Sequence, residues 1–327
     1  MGVAALFLAG LLLMLAAAAL FTNAVEWVAG ELGLGHALAG GVLAAIGTAL
    51  PESIVPVVAL IGGGAAAAPT ATGAILGAPF MLATVGLGVT GLVCLLSGRS
   101  HLQVPGAPGR GVLYTFLLSY LLLIAGAFVP TPLRWADAAV LAGLYALFVR
   151  RSLRDDRPSG EAGESLLAAR LPGMPRGGGL LLGGAQLLVA LITLSVASEL
   201  FILALHGIAD AIRLSALVLA LLLVPLATEL PELVSGSLWV ARGRDLLALG
   251  NVTGAMVFQA TVPAMIGLCF TPWDPSGIGF LAAAVTITGA LVALAATGER
   301  GVDARLLAPA GFGLYALYVV AVILGRA

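Results

Sequence analysis

The chain of 327 residues is 61% hydrophobic and only 9% charged, with a net charge of −1. A soluble domain carries roughly a quarter charged residues, so this balance reads as an integral membrane protein. All fifteen basic residues are Arg, spread along the chain, and no basic patch of the kind that binds nucleic acid is present.

Apolar runs of about 20 residues, enough to cross about 30 Å of hydrocarbon, recur throughout. Met1–Leu20 lacks the basic start of a signal peptide and is long for its apolar region, so it reads as the first span. Ten spans are expected, at 2–21, 37–61, 70–97, 111–130, 134–150, 179–205, 213–241, 245–270, 277–297 and 303–324. The fold class is therefore an all-α membrane protein. Its units are a first five-helix repeat (1–150), a solvated linker (151–178) rich in Arg, Asp, Glu, Gly and Pro, and a second five-helix repeat (179–327).

Twelve Arg residues fall in the loops after the odd-numbered spans or in the linker, and three (Arg134, Arg213, Arg326) on the other side. The positive-inside rule then puts the linker in the cytoplasm and both termini outside, in a multi-pass protein of the cell membrane. Five spans per half insert the second half upside-down relative to the first, the inverted-repeat plan of many secondary transporters.

The repeat is visible in the letters. At an offset of 180, Thr48, Leu50, Pro51 and Glu52 meet Thr228, Leu230, Pro231 and Glu232. At an offset of 177, Gly73, Gly77, Ala78, Ala83, Thr84 and Val85 meet Gly250, Gly254, Ala255, Ala260, Thr261 and Val262. Alanine and leucine matches alone carry little weight in so apolar a chain; a repeated Thr-x-Leu-Pro-Glu does.

A carboxylate in hydrocarbon is costly, so Glu52 and Glu232 read as functional. Thr48 lies four residues before Glu52 and shares its helix face. Pro51 and Pro231 have no N–H to give, which frees the carbonyls of Gly47 and Ala227; Pro56 does the same for Glu52. Freed carbonyls within a membrane need protein, water or an ion. Hydroxyls, carbonyls and carboxylates together form an all-oxygen set suited to a hard cation such as Ca²⁺ or Na⁺. No Arg lies deep in any expected span to serve as partner.

These residues resemble the cation/calcium exchanger superfamily, and in particular the prokaryotic sodium/calcium exchangers. In that family each half carries Gly-Thr-Ser-Leu-Pro-Glu followed by Gly-Asn-x-x-Gly-Ser-Asn. The likeness covers essentially the whole chain, with motif regions at 47–82 and 227–259. It implies an antiporter with ten helices, with Glu52 and Glu232 as central ion-binding carboxylates, Thr48 and Thr228 as hydroxyl and carbonyl ligands, and Gly47 and Ala227 as carbonyl ligands. Ca²⁺ and Na⁺ would be cargo with no cofactor, and spans 1 and 6 would swing past a core that holds both motifs.

The departures point to a different balance of ligands. The family's Ser after Thr is Ala49 in one half and Glu229 in the other. The second motif persists as Gly250-Asn251-Val252-Thr253-Gly254-Ala255 but becomes Gly73-Ala74-Ile75-Leu76-Gly77-Ala78 in the first half. The polar residue one turn on is Leu82 in the first half and Gln259 in the second. Hydroxyl and amide ligands for Na⁺ are thus fewer, and one carboxylate is gained. Crowded carboxylates raise one another's pKa, so Glu229 is a candidate proton carrier, and H⁺ an alternative counter-ion; the other reading has Glu229 facing a funnel at either surface and attracting cations. Gln259 reads as a neutral ligand, and Asn251 as bonding backbone at a helix break.

Other polar residues read as structural. Glu26, Glu31, His36, His206 and Asp210 fall at span ends, with Glu199 the best placed to line a cavity. Trp27, Trp135, Trp239 and Trp273 fall where interfacial anchors are expected. Cys94 and Cys269 lack partners at ligand spacing and read as small core residues. Gly62-Gly63-Gly64 is a turn without the Gly-Lys-Ser/Thr of a phosphate loop. An intramembrane protease would need a His-Glu-x-x-His or an equivalent nucleophile arrangement, and none is present; a channel would show a selectivity filter rather than an inverted repeat.

Overall fold

The computed structural model describes residues 2–62, 67–104, 108–155, 165–170, 179–211, 228–275 and 277–324. Helix α1 is Val3–Glu31; α2 opens at His36–Leu38, passes through a π-helical segment, Ala39–Ala44, and continues as Ala45–Gly62. Helix α3 comprises Ala67–Met81, a second π segment, Leu82–Gly86, and Leu87–Leu96. Then come α4 (Pro108–Ala125), α5 (Thr131–Asp155), α6 (Leu180–Ala211), α7 (Leu230–Ala241), α8 (Asp245–Gln259), α9 (Val262–Phe270), α10 (Gly277–Ala296) and α11 (Ala304–Leu324).

Eight described stretches are long and apolar enough to cross a membrane: Ala5–Glu31, Ala71–Leu96, Gly109–Phe128, Thr131–Arg154, Leu180–Phe201, Asp245–Phe270, Gly277–Ala296 and Ala304–Leu324. They match eight of the ten expected spans. The expected span at 37–61 is helical from His36 to Gly62; its apolar stretch His36–Ala49 is described in full, and most side chains beyond it, from Leu50 on, lie outside those described. In the expected span at 213–241, α7 accounts for the last twelve residues, and positions 213–227 lie outside the described residues.

Helices α1 and α6 form an antiparallel pair along their whole length. Phe7 meets Phe201 with ring centroids 4.8 Å apart, Gly10 faces the Phe201 backbone, and Gly183 lies against the Trp27 ring. Helix α8 is enclosed: every residue from Asn251 to Gln259 is buried. It crosses the first π segment through glycines. A Cβ on Gly254 would collide with the Gly41 carbonyl, and one on Gly40 would come within 2.5 Å of the Leu247 carbonyl oxygen. Small residues let the two backbones touch, as at packed helix crossings within membranes.

One end of the bundle is tied together by polar contacts between loops. Strands β1 (His101–Leu102), β2 (Thr297–Gly298) and β3 (Gly301–Asp303) form a small antiparallel sheet in the order β1-β3-β2. Arg99 pairs with the buried Asp245, whose carboxylate also accepts from the Gln103 N–H at 2.7 Å. Glu26, near the end of α1, accepts from Trp239 Nε1 at 2.9 Å and lies 3.9 Å from Arg242 and 3.7 Å from Arg244.

The segment Ser165–Arg170 docks at the same end. The Leu167 N–H donates to Asn23 Oδ1 at 2.9 Å, the Ala168 N–H donates to Gln186 Oε1 at 2.7 Å, and Leu166 packs against Trp27 and Val28.

Several sequence expectations need correction. Helix α5 continues past residue 150 to Asp155, and Leu166 is 1% exposed, so the linker is not solvated throughout. Trp239 and Trp273 are core residues rather than lipid-facing anchors, at 0% and 1% exposure. Burial obliges each indole N–H to find an acceptor. Trp239 finds Glu26, and Trp273 finds the Leu123 carbonyl at 2.9 Å. Glu26 is accordingly a cross-linking residue and not an interfacial one, whereas Glu199 is exposed. The side chains of His206 and Asp210 lie outside those described.

Candidate functional site

The two Thr-x-Leu-Pro-Glu motifs take different positions in their helices. In the first, Gly47 and Thr48 follow the π segment inside α2, and the helix runs on through Pro51 to Gly62. A π turn holds one extra residue and displaces the hydrogen-bond ladder, a device frequent at functional sites. In the second, Glu229 precedes α7 and Pro231 occupies the first turn, where its missing N–H costs nothing. Glu232 also sits in that first turn, at the positive end of the helix dipole.

Both carboxylates of the second motif are completely buried. Glu229 accepts from Gln259 Nε2, at 3.3 Å to one oxygen and 3.2 Å to the other. A carboxamide satisfies hydrogen bonding without supplying charge. Among the described residues Glu232 has no hydrogen-bond partner at either oxygen, and Gln259 Oε1, Ser235 Oγ and Asn251 Nδ2 are likewise buried and without one. Leaving such groups unsatisfied in a low-dielectric interior costs several kcal/mol unless a cation, a proton or water completes them.

The first motif contributes Thr48, 1% exposed, which donates its hydroxyl proton to the Ala44 carbonyl at 3.0 Å and lies 3.4 Å from Asn251 Oδ1. Its hydroxyl also adjoins the Glu232 carboxylate without closing a hydrogen bond to it. Thr48 therefore joins the two halves of the chain. Gly47 faces Leu191 of α6 and Phe21 of α1. Thr228 is half-buried in the turn before α7. The Glu52 backbone lies in α2, its side chain lies outside those described, and Ala227 lies outside the described residues altogether.

Asn251 departs from expectation. It lies inside a continuous α8, and its side chain faces Thr48, 203 residues away in sequence. The helix break comes later, at Ala260–Thr261, before α9. At the matching place in the first half stands the π segment Leu82–Gly86. In each, a threonine donates to the carbonyl four residues back, Thr84 to Phe80 and Thr261 to Val257, both at 2.7 Å. Ser235 was not picked out by sequence reasoning; its only signal is a position three residues after Glu232. Among the described residues no cluster of three or more His, Cys, Asp or Glu is assembled.

The chain matches the family of the sodium/calcium exchanger protein over residues 2–154 and 182–324, on both sides of the linker. It belongs to that family. This exchanger-family chain is 27% identical to the inner membrane protein YrbG of Escherichia coli over 274 residues, covering 83% of this chain and 80% of that one. It is 26% identical over 296 residues to CaxA of Alkalimonas amylolytica, whose name proposes an antiporter, covering 89% and 86%. The fold is that of the sodium-calcium exchanger NCX_Mj in a form soaked with zero Na⁺ and Ca²⁺, with a TM-score of 0.75 at 21% identity and 99% of each chain covered. The exchanger-family protein is thus a multi-pass helical membrane protein and a cation antiporter, not an enzyme.

Proposed function

We propose that this chain exchanges Ca²⁺ for Na⁺ by alternating access at a mid-membrane site. Its ligands would be the carboxylates of Glu52, Glu232 and Glu229, the hydroxyls of Thr48 and Thr228, the carbonyls of Gly47 and Ala227, and the Gln259 amide. The observation that carries this reading is Glu232: fully buried, beside Thr48 from the other half, with neither oxygen hydrogen-bonded among the described residues. A cation there would restore the balance that the protein leaves open. Two carboxylates left empty would be costly in the membrane, which disfavours crossing of the unloaded state and makes the exchange obligatory.

A second reading, exchange against H⁺ with Glu229 as carrier, is favoured by one observation: the partner of Glu229 is the neutral Gln259 rather than an Arg. A proton on Glu229 would then replace the missing counter-charge.

The loop contacts support ten crossings in two inverted halves. Contacts at one end join the end of α1, the loops after α3 and α7, the Ser165–Arg170 segment and the loop after α10. For both α1 and α3 to finish at that end, α2 must lead away from it. For α7 to finish there too, the chain must return after α6. This is the end carrying most of the Arg residues, which supports a cytoplasmic linker and outside termini. The same reading divides the chain into units at 1–150 and 179–327, joined by the linker 151–178.

Ca²⁺ flux in proteoliposomes under separate Na⁺ and H⁺ gradients tests the coupling. Ca²⁺ movement driven by Na⁺ and lost in Glu232→Gln is expected. Unchanged flux in that variant would sink the site.

A further inference from the structure

The Thr48–Asn251 contact places a demand on the Asn251 side chain. The single proton of the Thr48 hydroxyl goes to the Ala44 carbonyl at 3.0 Å, the shorter of its two contacts within hydrogen-bond distance, and a lone pair then faces Asn251 at 3.4 Å. A lone pair is met by an amide N–H and not by an amide oxygen. With Oδ1 turned to Thr48, Nδ2 is left buried with no partner among the described residues. Turning the carboxamide by 180° lets its nitrogen donate to Thr48 and puts its oxygen where the nitrogen was, a buried place in which no described group donates to it and a cation could. Oxygen and nitrogen of an amide are assigned from their neighbours in this way.

The position is also closely packed. Asn251 is fully buried, and the glycines on either side of it, Gly250 and Gly254, press against Gly40 and Gly41 of the π segment. Helices α7 and α8 run antiparallel, with Glu229 bonded to Gln259 and Gly236 opposite Val252. At a rise of about 1.5 Å per residue this register sets Ser235 and Asn251 within one turn of each other, on the linker side of Glu232. Ser235 Oγ is itself buried, with no partner among the described residues.

We propose that the Asn251 side-chain oxygen, oriented by Thr48, is a ligand of a bound cation on the linker side of Glu232, with Ser235 Oγ in the same shell. This deepens the cation-exchange reading and rests on it. Such a position offers one charge and neutral oxygens, a set that a hard cation accepts.

The test is Ca²⁺ binding to the full-length, detergent-purified protein by titration calorimetry, which requires no transport. Asn251→Leu removes the oxygen and should weaken Ca²⁺ binding about tenfold. Asn251→Asp keeps an oxygen on the inward side and should bind Ca²⁺ at least as tightly as the wild type. Asn251→Leu within twofold of wild type overturns the proposal. So does Asn251→Asp weakened as far as Asn251→Leu, because the amide would then serve as a donor. Should Asn251→Leu not fold, Asn251→Asp and Ser235→Ala decide: a weakened Asp variant, or unchanged binding in the Ala variant, counts against the shared shell. Wild-type protein that binds neither Ca²⁺ nor Na⁺ would instead overturn the exchanger reading itself.

Discussion

Gln259 turns its amide nitrogen onto both oxygens of Glu229, at 3.3 and 3.2 Å, so a fully buried carboxylate is held by a neutral group. Three residues on, Glu232 has no such holder among the described residues. The two acids of one motif therefore face different tasks.

Glu229 is the acid whose removal should separate the two couplings. Glu229→Gln keeps the size and the hydrogen bond to Gln259 but removes the charge. If H⁺ is the counter-ion, Ca²⁺ flux driven by a pH gradient should fall by about tenfold or more while Ca²⁺ binding persists. If Na⁺ alone is the counter-ion, flux under a Na⁺ gradient should change less than flux in Glu232→Gln. Measuring both gradients on one preparation decides between them.

Glu232→Gln removes one of the charges facing a divalent cation. Loss of a charge–charge contact in a dry site is worth a few kcal/mol, or about a hundredfold in Ca²⁺ affinity. Calorimetry on the purified protein should show this, with the melting temperature unchanged or raised, since an unsatisfied buried charge has gone.

Gly254 and Gly77 stand at matching places in the two halves with opposite surroundings. A Cβ on Gly254 would strike the Gly41 backbone, whereas one on Gly77 would meet nothing within 4 Å. Backbone cannot move aside as a side chain can. Gly254→Ala should destabilise the protein by about 1–3 kcal/mol and lower its melting temperature. Gly77→Ala should be neutral. Equal melting temperatures for the two variants would refute the close crossing of α2 and α8.

Glu26 ties α1 to the turn after α7 through Trp239, Arg242 and Arg244. Glu26→Ala leaves a buried indole N–H without an acceptor and should cost about 1–3 kcal/mol. Glu26→Gln keeps that acceptor and should recover part of the loss. Thermal melts of the three proteins give the comparison.

Exposed positions at the two ends report orientation. In a background lacking Cys94 and Cys269, Leu32→Cys and Arg154→Cys should be labelled only from the cytoplasm, and Thr131→Cys from outside. Labelling of Arg154→Cys from outside would invert the topology.

What sequence could reveal follows from what hydropathy and spacing record. Eight spans are legible because each is a local apolar run, and Glu52 and Glu232 are legible because a carboxylate inside such a run stands out. Trp239 and Trp273 mislead because a position near a span end does not say whether neighbouring helices enclose it. Leu166 misleads for the reverse reason: one apolar residue in a polar segment carries no periodicity, yet Trp27 and Val28 cover it. The pairing of β1 with β3 joins short stretches some two hundred residues apart, with no strand pattern to announce it.

By itself the sequence determined a membrane protein of recurrent apolar spans, halves that repeat Thr-x-Leu-Pro-Glu, and an asymmetry that sets Glu229 against Ala49. These are properties of composition and order, which exist before folding. Tertiary structure decided the partners: Gln259 for Glu229, Thr48 for Asn251, Trp239 for Glu26, and, among the described residues, no hydrogen-bonding group for Glu232. Partnership depends on which helix faces meet, and that follows from packing, above all where Gly40 and Gly41 admit α8 to backbone contact.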